Sequence, residues 1–190
     1  MKVKYYLLSI AVIGMLTACS GEKKESAAAD GQGTTEKKVD ADQPTGDVFI
    51  YTAEHRKENT QPDKAKVLIS KKLGSINENE FNGNTTIEEV WIGEQVQHIA
   101  NGAFQGCTNL KKIHIAGPLP VIHDGAFTDC SALEELKGDV YTIGVDGFKG
   151  CTSLKSVVLG EHAYWIRVGA FEGCKNLKKI ILADTMSKLE

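Results

Sequence analysis

The sequence predicts a repeat solenoid, a coil in which each turn of 21–23 residues adds one short parallel strand to a concave face. Three observations predict it. Segments beginning at Ile99, Ile122, Ile143 and Ile166 restate one another at spacings of 23, 21 and 23 residues: IANGAFQGCTNLKKIHI, IHDGAFTDCSALEELKG, IGVDGFKGCTSLKSVVL and IRVGAFEGCKNLKKIIL. Each places a phenylalanine five residues after the isoleucine and a cysteine three further on. The pairs Val90/Ile92, Ile113/Ile115, Val157/Leu159 and Ile180/Leu182 then carry the two-residue period of a strand with one buried face.

Taken from the N-terminus, Met1-Lys2-Val3-Lys4 is a short basic start to the apolar run Tyr5 to Met15, the pattern of an export signal over residues 1–18. The run is too short to span a membrane comfortably, which takes roughly 20 apolar residues. It ends in Leu16-Thr17-Ala18-Cys19, which resembles the lipobox of bacterial lipoproteins. That resemblance implies cleavage before Cys19, acylation of Cys19 and attachment to a membrane, where several acyl chains hold far more firmly than one. A plain secretory signal with an incidental cysteine is the alternative. Ser20 after the cysteine, by the same resemblance, favours an outer-membrane or cell-surface destination. Loss of Lys2 and Lys4 takes the formal charge from −3 to −5. An acidic surface of mixed sign argues against nucleic acid as a partner, because a phosphate backbone is held by concentrated positive charge.

Residues 19–46 follow as a linker. Between Ser20 and Gly46 the only large aliphatic residue is Val39 and there is no aromatic, so nothing offsets the entropy of ordering the segment. As a flexible coil it places the folded part about 25 to 35 Å from the lipid. Residues 47–66 are expected to form an N-terminal cap, from the apolar Val48-Phe49-Ile50-Tyr51 and the polar stretch Glu54 to Lys64.

Residues 67–190 hold the repeats. The register extends back through INENEFNGNTTIEEVWI from Ile76, with Asn84 where later turns have cysteine, and once more through Val67, Ile69 and Leu73. Leu110, Leu133, Leu154 and Leu177 lead into the strands, and Val96, Leu119, Val140 and Ala163 fill the core beyond them. Phe81, Phe104, Phe127, Phe148 and Phe171 should stack in one row through the return segments. Ala103, Ala126, Gly147 and Ala170 beside them let adjacent turns approach. Gly106, Gly150 and Gly173 before the cysteines relieve a tight turn, a place where Asp129 is tolerated because aspartate enters left-handed conformations more readily than most residues. The turn containing Leu136 to Val140 is two residues short and should distort the coil locally.

The wording of these turns resembles the leucine-rich repeat of the BspA family of bacterial surface antigens, and IRVGAFEGCKNLKKI from Ile166 gives it nearly in full. The resemblance implies a leucine-rich repeat solenoid and the role of a surface adhesin, bound to matrix proteins or neighbouring cells.

Cys107, Cys130, Cys151 and Cys174 occupy one position in four consecutive turns. Equivalent residues lie about 5 Å apart across a turn, so disulfides are geometrically open, but inward-pointing side chains would have to leave the stack to form them. Buried free thiols acting as small hydrophobes are the favoured reading. A metal cluster is disfavoured because thiolate ligands must converge on a point, whereas a ladder presents them in a line.

Alternate strand residues must face solvent on the concave side, giving the ladders Glu89, Lys112, Glu135, Ser156, Lys179 and Trp91, His114, Lys137, Val158, Ile181. These are the expected contact residues for an extracellular or envelope protein or glycan. The first ladder alternates in sign, so its members can equally pair with one another. Trp91 is an anchor of the kind interfaces favour, unless it packs on the N-terminal cap. Tyr164, Trp165 and Arg167 form a secondary aromatic cluster in a return loop. Leu182, Met186 and Leu189 copy the offsets of Leu159, Ala163 and Ile166, a half-turn whose open edge offers an alternative role in self-association. No enzyme activity, cofactor or resident metal is expected: His98, His114, His123 and His162 fall in different registers without matching carboxylates, Asp124 beside His123 excepted.

Overall fold

The computed structural model describes residues 44–117, 121–160, 162–181 and 188–189. The expected signal, Cys19, nearly all of the linker, and Leu119, Leu182 and Met186 lie outside these residues. In chain order the elements are β1 (Phe49–Tyr51), α1 (Ala53–Lys57), β2 (Lys66–Ile69), β3 (Ser75–Ile76), β4 (Glu89–Ile92), β5 (His98–Ile99), β6 (Lys112–Ile115), β7 (Val121–Ile122), β8 (Glu135–Gly138), β9 (Thr142–Ile143), β10 (Ser156–Leu159), β11 (Trp165–Ile166), β12 (Lys179–Ile181) and β13 (Lys188–Leu189). They wind into two strand tracks per turn rather than the single strand expected. A seven-stranded parallel sheet runs β1-β2-β4-β6-β8-β10-β12, and a six-stranded parallel sheet of two-residue strands runs β13-β11-β9-β7-β5-β3.

The register of the first sheet sets Val67, Val90, Ile113, Leu136, Val157 and Ile180 side by side. That of the second aligns Ile76, Ile99, Ile122, Ile143, Ile166 and Leu189. Both sheets continue through the short turn, but the β6–β8 pairing stops at His114↔Lys137, one position short of the β4–β6 pairing, and Gly138 takes φ 155° there, so the expected distortion is confined to the end of β8. Only three residues join β8 to β9 where five join β4 to β5, so the deletion shortens that connector and leaves the strands in place.

Between the sheets the return segments are themselves laddered. The amides of Phe81, Phe104, Phe127 and Phe148 each donate at 2.8 Å to the carbonyl of Ala103, Ala126, Gly147 and Ala170 one turn ahead. Phe81, Phe104, Phe127 and Phe148 are buried, and their rings follow one another at 4.9 to 5.1 Å, nearly parallel. Phe171 continues the row at 5.7 Å but is only half-buried. The residue before each ladder cysteine is left-handed, and Asp129 adopts φ 61° where Gly106 has φ 71°, as its side chain permits.

The four ladder cysteines are free thiols, three buried and Cys174 half-buried. Each S–H donates to the phenylalanine carbonyl of the preceding turn: Cys107 to Phe81, Cys130 to Phe104, Cys151 to Phe127 and Cys174 to Phe148, at 3.1 to 3.2 Å. A thiol suits the position because it fills apolar space and places its S–H on the second lone pair of a carbonyl that already accepts one backbone amide. Burial pushes the Cys107 thiol up to about 12. The unfolded thiol ionises near pH 8.5 and the native one does not, so stability from this group is complete below that pH and falls as pH rises toward 12, by at most about 1.4 kcal/mol per pH unit. Urea midpoints of the reduced protein should therefore drop between pH 8 and 11, and the deficit of Cys107→Ala relative to wild type should shrink over the same range.

The ends differ from the middle. Phe49–Tyr51 extends the first sheet in parallel with β2, pairing Tyr51 with Ile69. The Tyr51 ring meets Phe81 edge-on at 4.8 Å and so closes the phenylalanine row. At the other end Ile180 holds the core-facing position yet is 42 % exposed, a correction to its expected burial, because β12 has a neighbour on one side only among the described residues.

Candidate functional site

The outward face of the first sheet carries two ladders, and the structure places every singled-out residue of the concave row in register. The charged one begins a turn earlier than expected, running Lys66, Glu89, Lys112, Glu135, Ser156, Lys179. Lys112 Nζ lies 3.4 Å from Glu89 Oε1, so this part of the ladder pairs with itself. The flanking row does the same: Lys111 meets Glu88 at 2.7 Å and Lys155 meets Glu134 at 2.8 Å. Exposed pairs of this kind contribute about 0–1 kcal/mol and fix registry more than affinity.

The second ladder begins two turns earlier, as Ile50, Leu68, Trp91, His114, Lys137, Val158, Ile181. Trp91 points off the core but is only 8 % exposed. The His114 imidazole covers it at a centroid distance of 4.6 Å, with 2° between the planes, and Leu68 is its register partner on the other side. Strand spacing of about 4.8 Å stacks side chains of one ladder face to face, which buries an indole without any contribution from the core. Ile50 beyond Leu68 is 54 % exposed. A depression of about 420 Å³ opens here, with Ile50, Leu68, Trp91 and Ala116 as apolar lining and Ser70, Lys71, Glu94 and His114 as polar groups. An apolar floor with a few polar groups of both signs at its rim is the makeup of a recognition site for a small side chain or ring.

Leu68 was legible, lying 23 residues before Trp91. Ile50 was not, because the spacing from β1 to β2 is 18 residues in the register Ile50↔Leu68.

The secondary cluster lies on the other sheet. Tyr164 stacks on Tyr141 at 5.4 Å, a partner the sequence reading did not single out, and the Arg167 guanidinium sits 5.3 Å from the Trp165 ring centroid. Arg167 Nη1 also approaches Asp124 Oδ1 at 3.8 Å. Two expectations for the histidines are corrected: His162 does have a carboxylate partner, Asp139 Oδ2 at 2.6 Å from its Nδ1 across one turn, and His98 and His123 are brought together on the second sheet.

The BspA type Leucine rich repeat region family matches residues 61–178 and 135–190, in six copies. The chain belongs to this family. The BspA-type solenoid is generally a scaffold for recognition rather than catalysis. Among solved structures the chain is similar to a leucine rich cell surface protein from Faecalibacterium prausnitzii, at 25% identity and a TM-score of 0.54 over 60% of this chain and 31% of that one. It is similar to a leucine-rich repeat protein from Bacteroides ovatus, at 31% identity and a TM-score of 0.51 over 60% of this chain and 30% of that one. A leucine rich repeat protein of T. pallidum shares the fold, with 24% identity and a TM-score of 0.55 over 63% of this chain and 71% of that one. The chain thus spans about a third of the length of the first two. Curated proteins include no match.

Proposed function

We propose that this chain is a cell-surface binding module, anchored through lipidated Cys19, that recognises an extracellular or envelope protein or glycan on the concave face of its first sheet. The observation that carries the reading is the depression beside the Trp91–His114 stack, where exposed Ile50 and the polar residues Lys71 and Glu94 surround an apolar floor. Beyond His114 and Lys137 the same ladder turns apolar again at Val158 and at Ile181, which is 40 % exposed, giving a partner larger than the depression further surface to cover. The surface location follows from the lipobox-like Leu16 to Cys19 and agrees with the description of the F. prausnitzii neighbour as a cell surface protein.

Because Trp91 is packed, truncating it would confuse binding with stability, so the test adds charge at the exposed floor instead. Purified protein applied to a glycan array and to a panel of matrix proteins should bind a subset of them. Ile50→Lys should weaken that binding about tenfold or more, near 1.4 kcal/mol, with an unchanged circular dichroism spectrum. Binding that ignores the charge, or a wild-type chain that binds nothing on either surface, would remove the concave face from consideration.

Self-association is the second reading, favoured by the exposed apolar pair Ile180 and Ile181 on the edge strand β12. Light scattering on the same preparation decides it, since a strict monomer at high concentration is incompatible with it.

A further inference from the structure

The geometry points to a transition-metal site formed by His98 and His123 on the outward face of the second sheet, away from the concave surface proposed above. His98 lies in β5 and His123 follows β7 directly. The pairing sets His98 opposite Val121 and Ile99 opposite Ile122. The two histidines therefore flank the buried pair Ile99 and Ile122 from opposite ends, and both project from the outer face as a diagonal pair. Their backbones are fixed by the coil itself, since the His123 amide donates to the Ile99 carbonyl at 2.9 Å and the Ala100 amide to the Ile76 carbonyl at 3.0 Å.

What the pair presents is two ring nitrogens converging from adjacent turns. His98 Nδ1 lies 3.2 Å from His123 Nε2, with the rings tilted by 38° and not stacked flat. Metal–imidazole bonds of about 2.0–2.1 Å to two nitrogens this far apart subtend about 100–105° at the ion, between octahedral and tetrahedral geometry. An ion set off the line between the two nitrogens can thus replace the shared hydrogen once each ring turns its lone pair toward it. In the metal-free pair one nitrogen carries that hydrogen; on binding it moves through solvent to the other nitrogen of the same imidazole. Both lone pairs then face the ion, nothing is oxidised, and two neutral imidazoles release no net proton.

The ligand chemistry selects the ion. Neutral imidazoles suit zinc, copper and nickel, whereas magnesium and calcium require oxygen donors. Among the described residues no group of three or more His, Cys, Asp or Glu side chains forms a metal site, so water fills the remaining positions. The site is open to an outside ligand, unlike a structural zinc site closed by four protein groups.

The test is a calorimetric titration of the full-length chain with zinc chloride, with magnesium chloride as control. One equivalent of zinc should bind and magnesium should not. His98→Ala and His123→Ala should each raise the dissociation constant at least tenfold, while His162→Ala, which alters the separate Asp139 pair, leaves it unchanged. His98→Gln retains an amide able to hydrogen-bond His123 but offers no imidazole, so it too should lose the tenfold if coordination is the cause. Zinc affinity unaltered by substitutions at both 98 and 123 would assign the ion to cysteine or another group and overturn the site. So would the absence of zinc binding by the wild-type chain.

Discussion

Replacing Phe127 with alanine should lower the unfolding free energy by about 3–5 kcal/mol, the range for a large aromatic truncated in a core that cannot collapse around the gap. Phe127 is fully buried and has a ring on each side, Phe104 at 5.1 Å with 4° between planes and Phe148 at 5.1 Å with 5°. Isolated aromatic pairs prefer offset or edge-on arrangements. Here the strand spacing of the coil dictates the separation, so the rings cannot slide to fill a missing neighbour. The loss falls on two interfaces at once, because in a coil each turn is stabilised by the turns beside it. Phe171→Ala supplies the contrast: that ring is half-buried and, among the described residues, has Phe148 alone as a ring neighbour, at 5.7 Å, so about 1–2 kcal/mol is expected. Urea denaturation followed by circular dichroism measures both. Equal losses at the two positions would mean that the row does not act as a nearest-neighbour stack.

The phenylalanine row and the long strands were legible because each turn repeats them at a fixed offset, and the second sheet was not. A strand of two residues such as His98–Ile99 shows one inward side chain, and a single apolar residue has no period to read. Trp91 marks a different limit. Its position was correctly placed off the core, but burial by its own ladder depends on which side chains stand one turn to either side, Leu68 and His114. Ile180 is the converse: its offset is that of a core residue, and its exposure reflects the lack of a second flanking strand among the described residues. In a solenoid, alternation along a strand decides direction and the neighbouring turns decide burial, so sequence read one turn at a time conveys only the first. The concave ladders were found for that reason, while the depression they enclose had to await the placement of Ile50 by β1.

The first turn also breaks the repeat at Glu80, which stands where the later turns hold Ala103, Ala126, Gly147 and Ala170, and Glu80→Ala is expected to cost about 2–4 kcal/mol. By repeat logic alone the substitution should be harmless or stabilising, since it restores the small residue. The structure gives the opposite sign. The Glu80 side chain is 6 % exposed and accepts from Tyr51 Oη at 2.9 Å, from Arg56 Nε at 2.5 Å and Nη2 at 2.9 Å, and from the Asn77 amide at 2.6 Å. Arg56 also reaches the Ser75 carbonyl at 2.6 Å. Burial, reinforced by the adjacent carboxylate, holds the Tyr51 phenol protonated well above its ordinary range, and the hydrogen bond to Glu80 keeps the Arg56 guanidinium charged. One carboxylate thus ties α1 and β1 to the first return segment, where later turns need only close approach. Removing it strands a tyrosine hydroxyl and a partly buried guanidinium. Arg56→Met should cost a comparable amount by leaving the carboxylate without its cation, and the double variant should lose at least about 1 kcal/mol less than the sum, because the two changes disrupt one network. Additive losses in thermal or urea unfolding would mean that the N-terminal strand is held by Tyr51 packing on Phe81 and not by the ion pair.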